Sequence, residues 1–236
     1  VASLFRFERN FDIKIVDSVL PAVPASRKHP LRVGRFLRLL GMGPAPSVFR
    51  SKKVMTSEAR YEALKLNFDT EETPSPGPAA REETRSPEVL NAQLDDQFAA
   101  TKISGEPAQL IRSLVLLWHD HVDLSHEISQ SIDSTDGGYL HGIVHRREPD
   151  FGNAAYWFRR VGDYSIYPEL ANEVSALNGE SAFTAPLVRG GKWNPLAMID
   201  ACEAVDVGSA DEGDSEFLRE VQSIEFHLLL KRFCEL

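Results

Sequence analysis

The stretch LIRSLVLLWHDHVDLSHEISQ, residues 110–130, decides how the chain is read. Ile111, Leu114, Val115, Trp118 and Val122 recur at intervals of three and four, the spacing that puts side chains on one helical face. That stripe predicts a long amphipathic helix, opened by Glu106-Pro107 because proline suits a first helical turn, and continuing to about Ile132. With about 100° of rotation per residue, His119, Asp123, His126 and Gln130 form a second stripe along the edge of the buried face. His121 points elsewhere, toward the side of Leu117 and Ile128.

Outward from that helix the punctuation remains helical. A helix is expected from Pro87 to about Ala100. After the long helix, Asp136-Gly137-Gly138 is expected to break the chain. Tyr139–Arg147 then stops at Pro149, and Phe151–Val161 ends at Gly162, a glycine suited to a left-handed terminus. Pro168 opens a segment closed by Asn178-Gly179, and Asn194-Pro195 reads as a cap followed by a first-turn proline. Asp214 or Ser215 is expected to cap a last helix running nearly to Leu236, and only Phe183–Val188 looks strand-like in this half. The expected fold is mainly α, a compact helical domain over residues 88–236.

Upstream the character changes. Residues 70–87, TEETPSPGPAAREETRSP, offer nothing to bury and read as a disordered linker or long exposed loop. Residues 1–69 carry thirteen Lys and Arg against six Asp and Glu, a net of +7, while the rest of the chain carries −16, giving −9 overall. Phe11, Ile13 and Ile15 fit one short strand, and Leu31–Leu40 fits a short helix with Arg32, Arg35 and Arg38 on one face. No acidic residue occurs between Ser18 and Ser57. This half is expected to be a poorly ordered basic N-terminal extension able to contact an anionic surface, with a composition like that of organellar targeting segments. The acidic body, by contrast, argues against nucleic-acid binding there.

No secretory signal heads the chain, and no apolar run is long enough to cross a bilayer, so a cytoplasmic protein is the default expectation. A first residue of Val rather than Met fits a fragment or a processed form. Cys202 and Cys234 are too few for a disulfide scaffold and wrongly spaced for a zinc knuckle, which leaves two reduced, buried thiols. Phosphate-cradling glycine loops and a G-x-S-x-G nucleophile turn are absent. The doublet His119-Asp120 is a weak signal of metal-dependent phosphohydrolase chemistry.

Five of the seven histidines fall between positions 119 and 145, and there the chemistry concentrates. His141 and His145, four apart, share a face if their segment is helical. With His119, Asp123 and His126 they form a candidate ligand set for a divalent transition metal, since mixed imidazole and carboxylate donors suit zinc, iron and manganese. A metal-free acid–base or binding site with His126 and His145 as the catalytic pair, and purely structural histidines, are the competing readings. The string HRREPDFGNAAYWFRRVG, residues 145–162, places two Arg pairs in an otherwise acidic body. Arg146, Arg147 and Arg159, with Asn153 and Tyr156, are candidates to hold a small anionic ligand, because a guanidinium matches carboxylate or phosphate. The alternative is an internal ion-pair network with Glu148 and Asp150.

SHEISQ (residues 125–130) and HGIVHRREPDFGNAAYWFRRVG (residues 141–162) resemble a family of uncharacterised proteins with the pattern SHxIxQ…HxxxHRREPDxxNxxYWFRRVG. WNPLAMIDACE, residues 193–203, fits the same resemblance, which covers roughly residues 107–236 and not the basic head. It implies no activity, and only marks positions such as Ser125, Gln130, Glu148, Asp150, Trp157 and Arg160 beside those already named. The resulting expectation is an enzyme with a His/Arg-lined pocket acting on a small anionic substrate, with or without a metal. The alternative is a non-catalytic binding or interaction module.

Overall fold

The computed structural model describes residues 55–177 and 181–236. Among them are ten helices: α1 Ser57–Leu64, α2 Pro87–Thr101, α3 Glu106–Trp118, α4 Val122–Ser129, α5 Thr135–Arg147, α6 Phe151–Val161, α7 Tyr167–Ala176, α8 Thr184–Leu187, α9 Pro195–Asp206 and α10 Glu212–Glu235. The only sheet among these residues is a two-residue antiparallel ladder, β1 Val188–Arg189 against β2 Lys192–Trp193. The domain is mainly α, as its periodicity implied. No helix among the described residues is long and apolar enough to cross a membrane. The expectations for residues 1–54, namely the short strand, the Arg-faced helix and the basic extension itself, lie outside the described residues.

The predicted long helix is in fact two. It stops at Trp118 and restarts at Val122, with Asp120 in the left-handed region at φ 64. Asp120 N–H donates to Leu117 O at 3.2 Å and His121 N–H reaches back to Leu116 O at 3.0 Å. These are the paired bonds that end a helix when one residue goes left-handed. Glycine usually fills that position. Here Asp does, a residue that tolerates this conformation, and its carboxylate accepts from Arg81 Nε and Arg147 Nη2, both at 2.8 Å. Burial alone would raise the Asp120 carboxyl, but the two guanidiniums outweigh it and hold the carboxyl below its usual range.

Other boundaries also move. Asp136-Gly137-Gly138 does not break the chain but lies inside the first turn of α5, capped by Ser134, whose Oγ accepts from Gly137 N–H at 3.1 Å. Residues 184–187 of the strand-like segment make a helical turn, and only Val188 enters the ladder. Asp211 caps α10, three residues before the expected start.

The division at residues 70–87 is corrected too. The segment has no helix or strand before Pro87, yet Pro74–Gly77 are buried. Gln222 Nε2 donates to the carbonyls of Pro74 at 3.1 Å and Ser75 at 3.0 Å, and Arg147 Nε donates to that of Gly77 at 2.9 Å. A polar-rich strap can be buried when side chains satisfy its carbonyls. Residues 57–68, assigned by charge to the extension, also belong to the domain: Leu64 and Phe68 join the core, where Phe68 stacks on Trp118 at 4.8 Å between centroids.

Two helices organise the core. α3 buries Leu110, Ile111 and every residue from Ser113 to Trp118, and α5 buries every residue from Asp136 to Arg147. α6 packs closely on α5 because Gly142 leaves room: a Cβ there would sit 3.1 Å from the Phe158 ring. Arg146 and Arg147, at the end of α5, are 0% and 1% exposed.

Candidate metal centre

α5 delivers His141 and His145 one turn apart on one face, their rings stacked at 4.5 Å and 26°. α4, reset by the break at Asp120, brings His126 against both, with ring centroids 4.8 Å from each. His126 Nε2 lies 2.9 Å from His141 Nε2. One ligating nitrogen from each of the three histidines falls within 4.8 Å of the others.

Glu148, the residue that ends α5, turns its carboxylate back onto the cluster. His126 Nδ1 donates to its Oε1 at 2.8 Å. Its other oxygen lies 3.1 Å from His145 Nδ1, off the line of a hydrogen bond. The bond from His126 puts that ring's proton on Nδ1 and leaves the Nε2 lone pair facing His141, the arrangement in which an outer carboxylate orients a ligating imidazole. From α6, Asn153 Nδ2 donates to His145 Nε2 at 3.0 Å, while Asp150 caps the same helix by accepting from Asn153 N–H at 3.2 Å. Trp157 covers His141 at 4.5 Å between ring centroids.

Burial favours the neutral form of His141 and His145. Burial, followed by the neighbouring His145 and His126, pushes His141 down to about 4. Burial also lowers His145, against the opposing pull of the Glu148 carboxylate. Neutral imidazoles offer lone pairs, as metal ligation or proton relay requires. His126 is the most open of the three, its side chain 27% exposed against 7% for His145.

Of the residues singled out in the sequence, the fold brings together His126, His141, His145 and Asn153. It leaves His119, Asp123, Arg146, Arg147, Tyr156 and Arg159 out of the cluster. His119 is fully buried on another side of the domain, its Nε2 2.9 Å from Asn67 O, and burial pushes it down to about 4. Asp123 is exposed on the first turn of α4 and is not part of the cluster. His119 leaves the candidate ligand set because the break at Asp120 destroys the shared stripe, whereas Asp123 stays on α4 with His126 but is exposed one turn before it.

Arg146 and Arg147 are not open to a ligand. Arg146 Nη2 donates to Glu225 Oε2 at 2.7 Å with both side chains 0% exposed. Burial works against its charge, and the Glu225 carboxylate more than offsets that. Arg147 is consumed by Asp120, Gly77 O and Leu117 O. The internal-network alternative therefore describes them, although the partners are Glu225 and Asp120 rather than Glu148 and Asp150. Tyr156 and Arg159 are exposed on α6, Tyr156 meeting Trp157 edge-on at 5.6 Å. Glu148 and Trp157 are the site residues missed as such. Their signals were the three-residue spacing from His145 to Glu148 and the four-residue spacing from Asn153 to Trp157.

Comparison with family models, curated proteins and solved structures returns no match to this chain. The functional reading therefore rests on the site.

Proposed function

We propose that the protein is a metal-dependent enzyme, its centre formed by His126, His141 and His145, acting on a small substrate. The observation that carries this reading is the convergence of three ligating nitrogens within 4.8 Å, with the Glu148 carboxylate behind them. Imidazole donors suit a borderline divalent ion of the zinc class. Two nitrogens on one such ion stand about 3.3 Å apart, from metal–nitrogen bonds of about 2.0–2.1 Å at a tetrahedral angle. The His126–His141 pair at 2.9 Å is already near that, and the wider separations within the set close by turning rings about their side-chain bonds. Three protein ligands leave a fourth position open, the pattern of catalytic rather than structural sites. A bound ion would polarise a carbonyl or phosphoryl oxygen of the substrate. Glu148 would hold His126 in the ligating tautomer, Trp157 would fix the ring of His141, and His145 would exchange its Nε2 hydrogen bond from Asn153 for the ion.

The test is metal uptake. Purified protein equilibrated with Zn2+ or Co2+ should hold close to one equivalent, and His141→Ala should hold none while keeping its helical circular dichroism. Folded wild-type protein that retains no stoichiometric metal would sink the proposal. One observation favours a second reading. The 2.9 Å contact between His126 and His141 is a good hydrogen bond as it stands, so Glu148–His126–His141 can also serve as a metal-free proton relay. A reducing cytoplasmic setting suits either reading, given the buried free thiols Cys202 and Cys234.

A further inference from the structure

The two helices that hold the histidines, together with α6, also border a cavity of about 240 Å3 one turn further along their seam. Gln130 lines it from α4, one turn beyond His126; Thr135 and Gly138 line it from α5, before His141; Trp157 and Arg160 line it from α6, beyond Asn153. One helical turn is about 5.4 Å, so a ligand of a few bonds seated there spans to the centre. Trp157 belongs to both, contributing to the cavity wall and packing on His141.

Two opposite charges face this hollow without neutralising each other. Arg160 lies over the Trp157 indole at 5.2 Å and, among the described residues, makes no ion pair or hydrogen bond. Asp133 lines the same hollow and is likewise unpaired among the described residues. A simple anion would meet Arg160 but be repelled by Asp133, and a simple cation would meet the reverse. A molecule carrying both an ammonium and a carboxylate satisfies both, with the indole as an apolar floor. We infer that the hollow is the substrate-anchoring subsite, and that it selects a small zwitterionic amino acid through Arg160 and Asp133. For its chemistry the inference rests on the proposed centre; for binding it does not.

The experiment uses the full chain with indole 15N labels, Trp157 being assigned through Trp157→Phe. Glycine, β-alanine and γ-aminobutyrate are titrated, with acetate and ethylamine as one-charge controls, before and after treatment with EDTA. At least one zwitterion should shift the Trp157 signal saturably and bind at least tenfold more tightly than either control. Arg160→Gln and Asp133→Asn, both at exposed positions, should each weaken it tenfold or more. Binding that persists in protein shown to take up no metal supports the subsite while removing the centre. A metal-loaded protein that ignores all three zwitterions overturns the subsite and leaves the centre standing. Acetate binding as tightly as the zwitterions, or variants without effect, also overturns it.

Discussion

α5 carries two polar regions side by side in sequence, and they behave oppositely. His145, Arg146 and Arg147 are consecutive and all buried. The arginines turn toward α10 and the α3 terminus, where Glu225 and Asp120 meet them in full ion pairs. The histidine turns toward α4 and α6, where it meets other imidazoles and one shared carboxylate. In the first region each arginine has a carboxylate partner, Asp120 being shared with Arg81, and the geometry is closed. In the second, more lone pairs converge than there are cations to receive them. Buried charge that is fully paired locks a fold; buried neutral bases crowded together leave capacity for a ligand.

The comparison can be broken or sharpened at several points. The largest effect is expected in the arginine region. Glu225→Ala strands the Arg146 guanidinium and the Tyr139 hydroxyl, which donates to Glu225 at 2.7 Å. The loss should be about 3–5 kcal/mol in chemical denaturation, and a change under 1 kcal/mol would show that the pair does not lock the fold. In the histidine region, free Zn2+ at a hundredfold excess over its Kd should stabilise the wild type by about 2.7 kcal/mol. His141→Ala should show no such gain, and equal gains in the two proteins would place the ion elsewhere.

A third prediction concerns His119, which stands outside both regions. Its pKa is lowered from 6.5 to about 4 in the folded protein. The unfolded chain therefore binds the extra proton first, and stability that is full above pH 6.5 is lost as pH falls toward 4. His119→Gln should flatten that part of the denaturation-midpoint profile relative to wild type. An unchanged slope would mean that His119 is not held neutral. The smallest effect belongs to Arg159→Ala. Arg159 is exposed and makes no ion pair among the described residues, so thermal melting should place the change within about 0.5 kcal/mol. A larger loss would reveal a partner for it.

Much of the fold was legible because helices announce themselves at their ends. Phe151–Val161 was read to the residue from Gly162, and the start of α9 from Asn194-Pro195, whose Asn Oδ1 accepts from Leu196 and Ala197 N–H. The break at Asp120 was hidden because no glycine or proline marks it and the apolar stripe runs straight through. What makes it is a pair of guanidiniums contributed from elsewhere in the chain, by Arg81 and Arg147. That one residue explains why only part of the candidate set converges. His141 and His145 share an unbroken helix, so their spacing predicted their geometry. His119 and His126 do not. The arginines were misjudged because Glu225 lies 79 residues from Arg146, and no local pattern announces such a partner.

The buried strap from Pro74 to Gly77 bears on where this chain can be shortened. Its composition invites trimming to Pro87, yet a fragment beginning there would lose the carbonyls that quench Gln222 and Arg147 and the guanidinium that steadies Asp120. The first two of those side chains are sealed inside, so the shortened piece would expose to its own interior the very groups the strap silences. A fragment that keeps these contacts and the first helix with its cap begins at Thr56, whose hydroxyl accepts from Ala59 N–H.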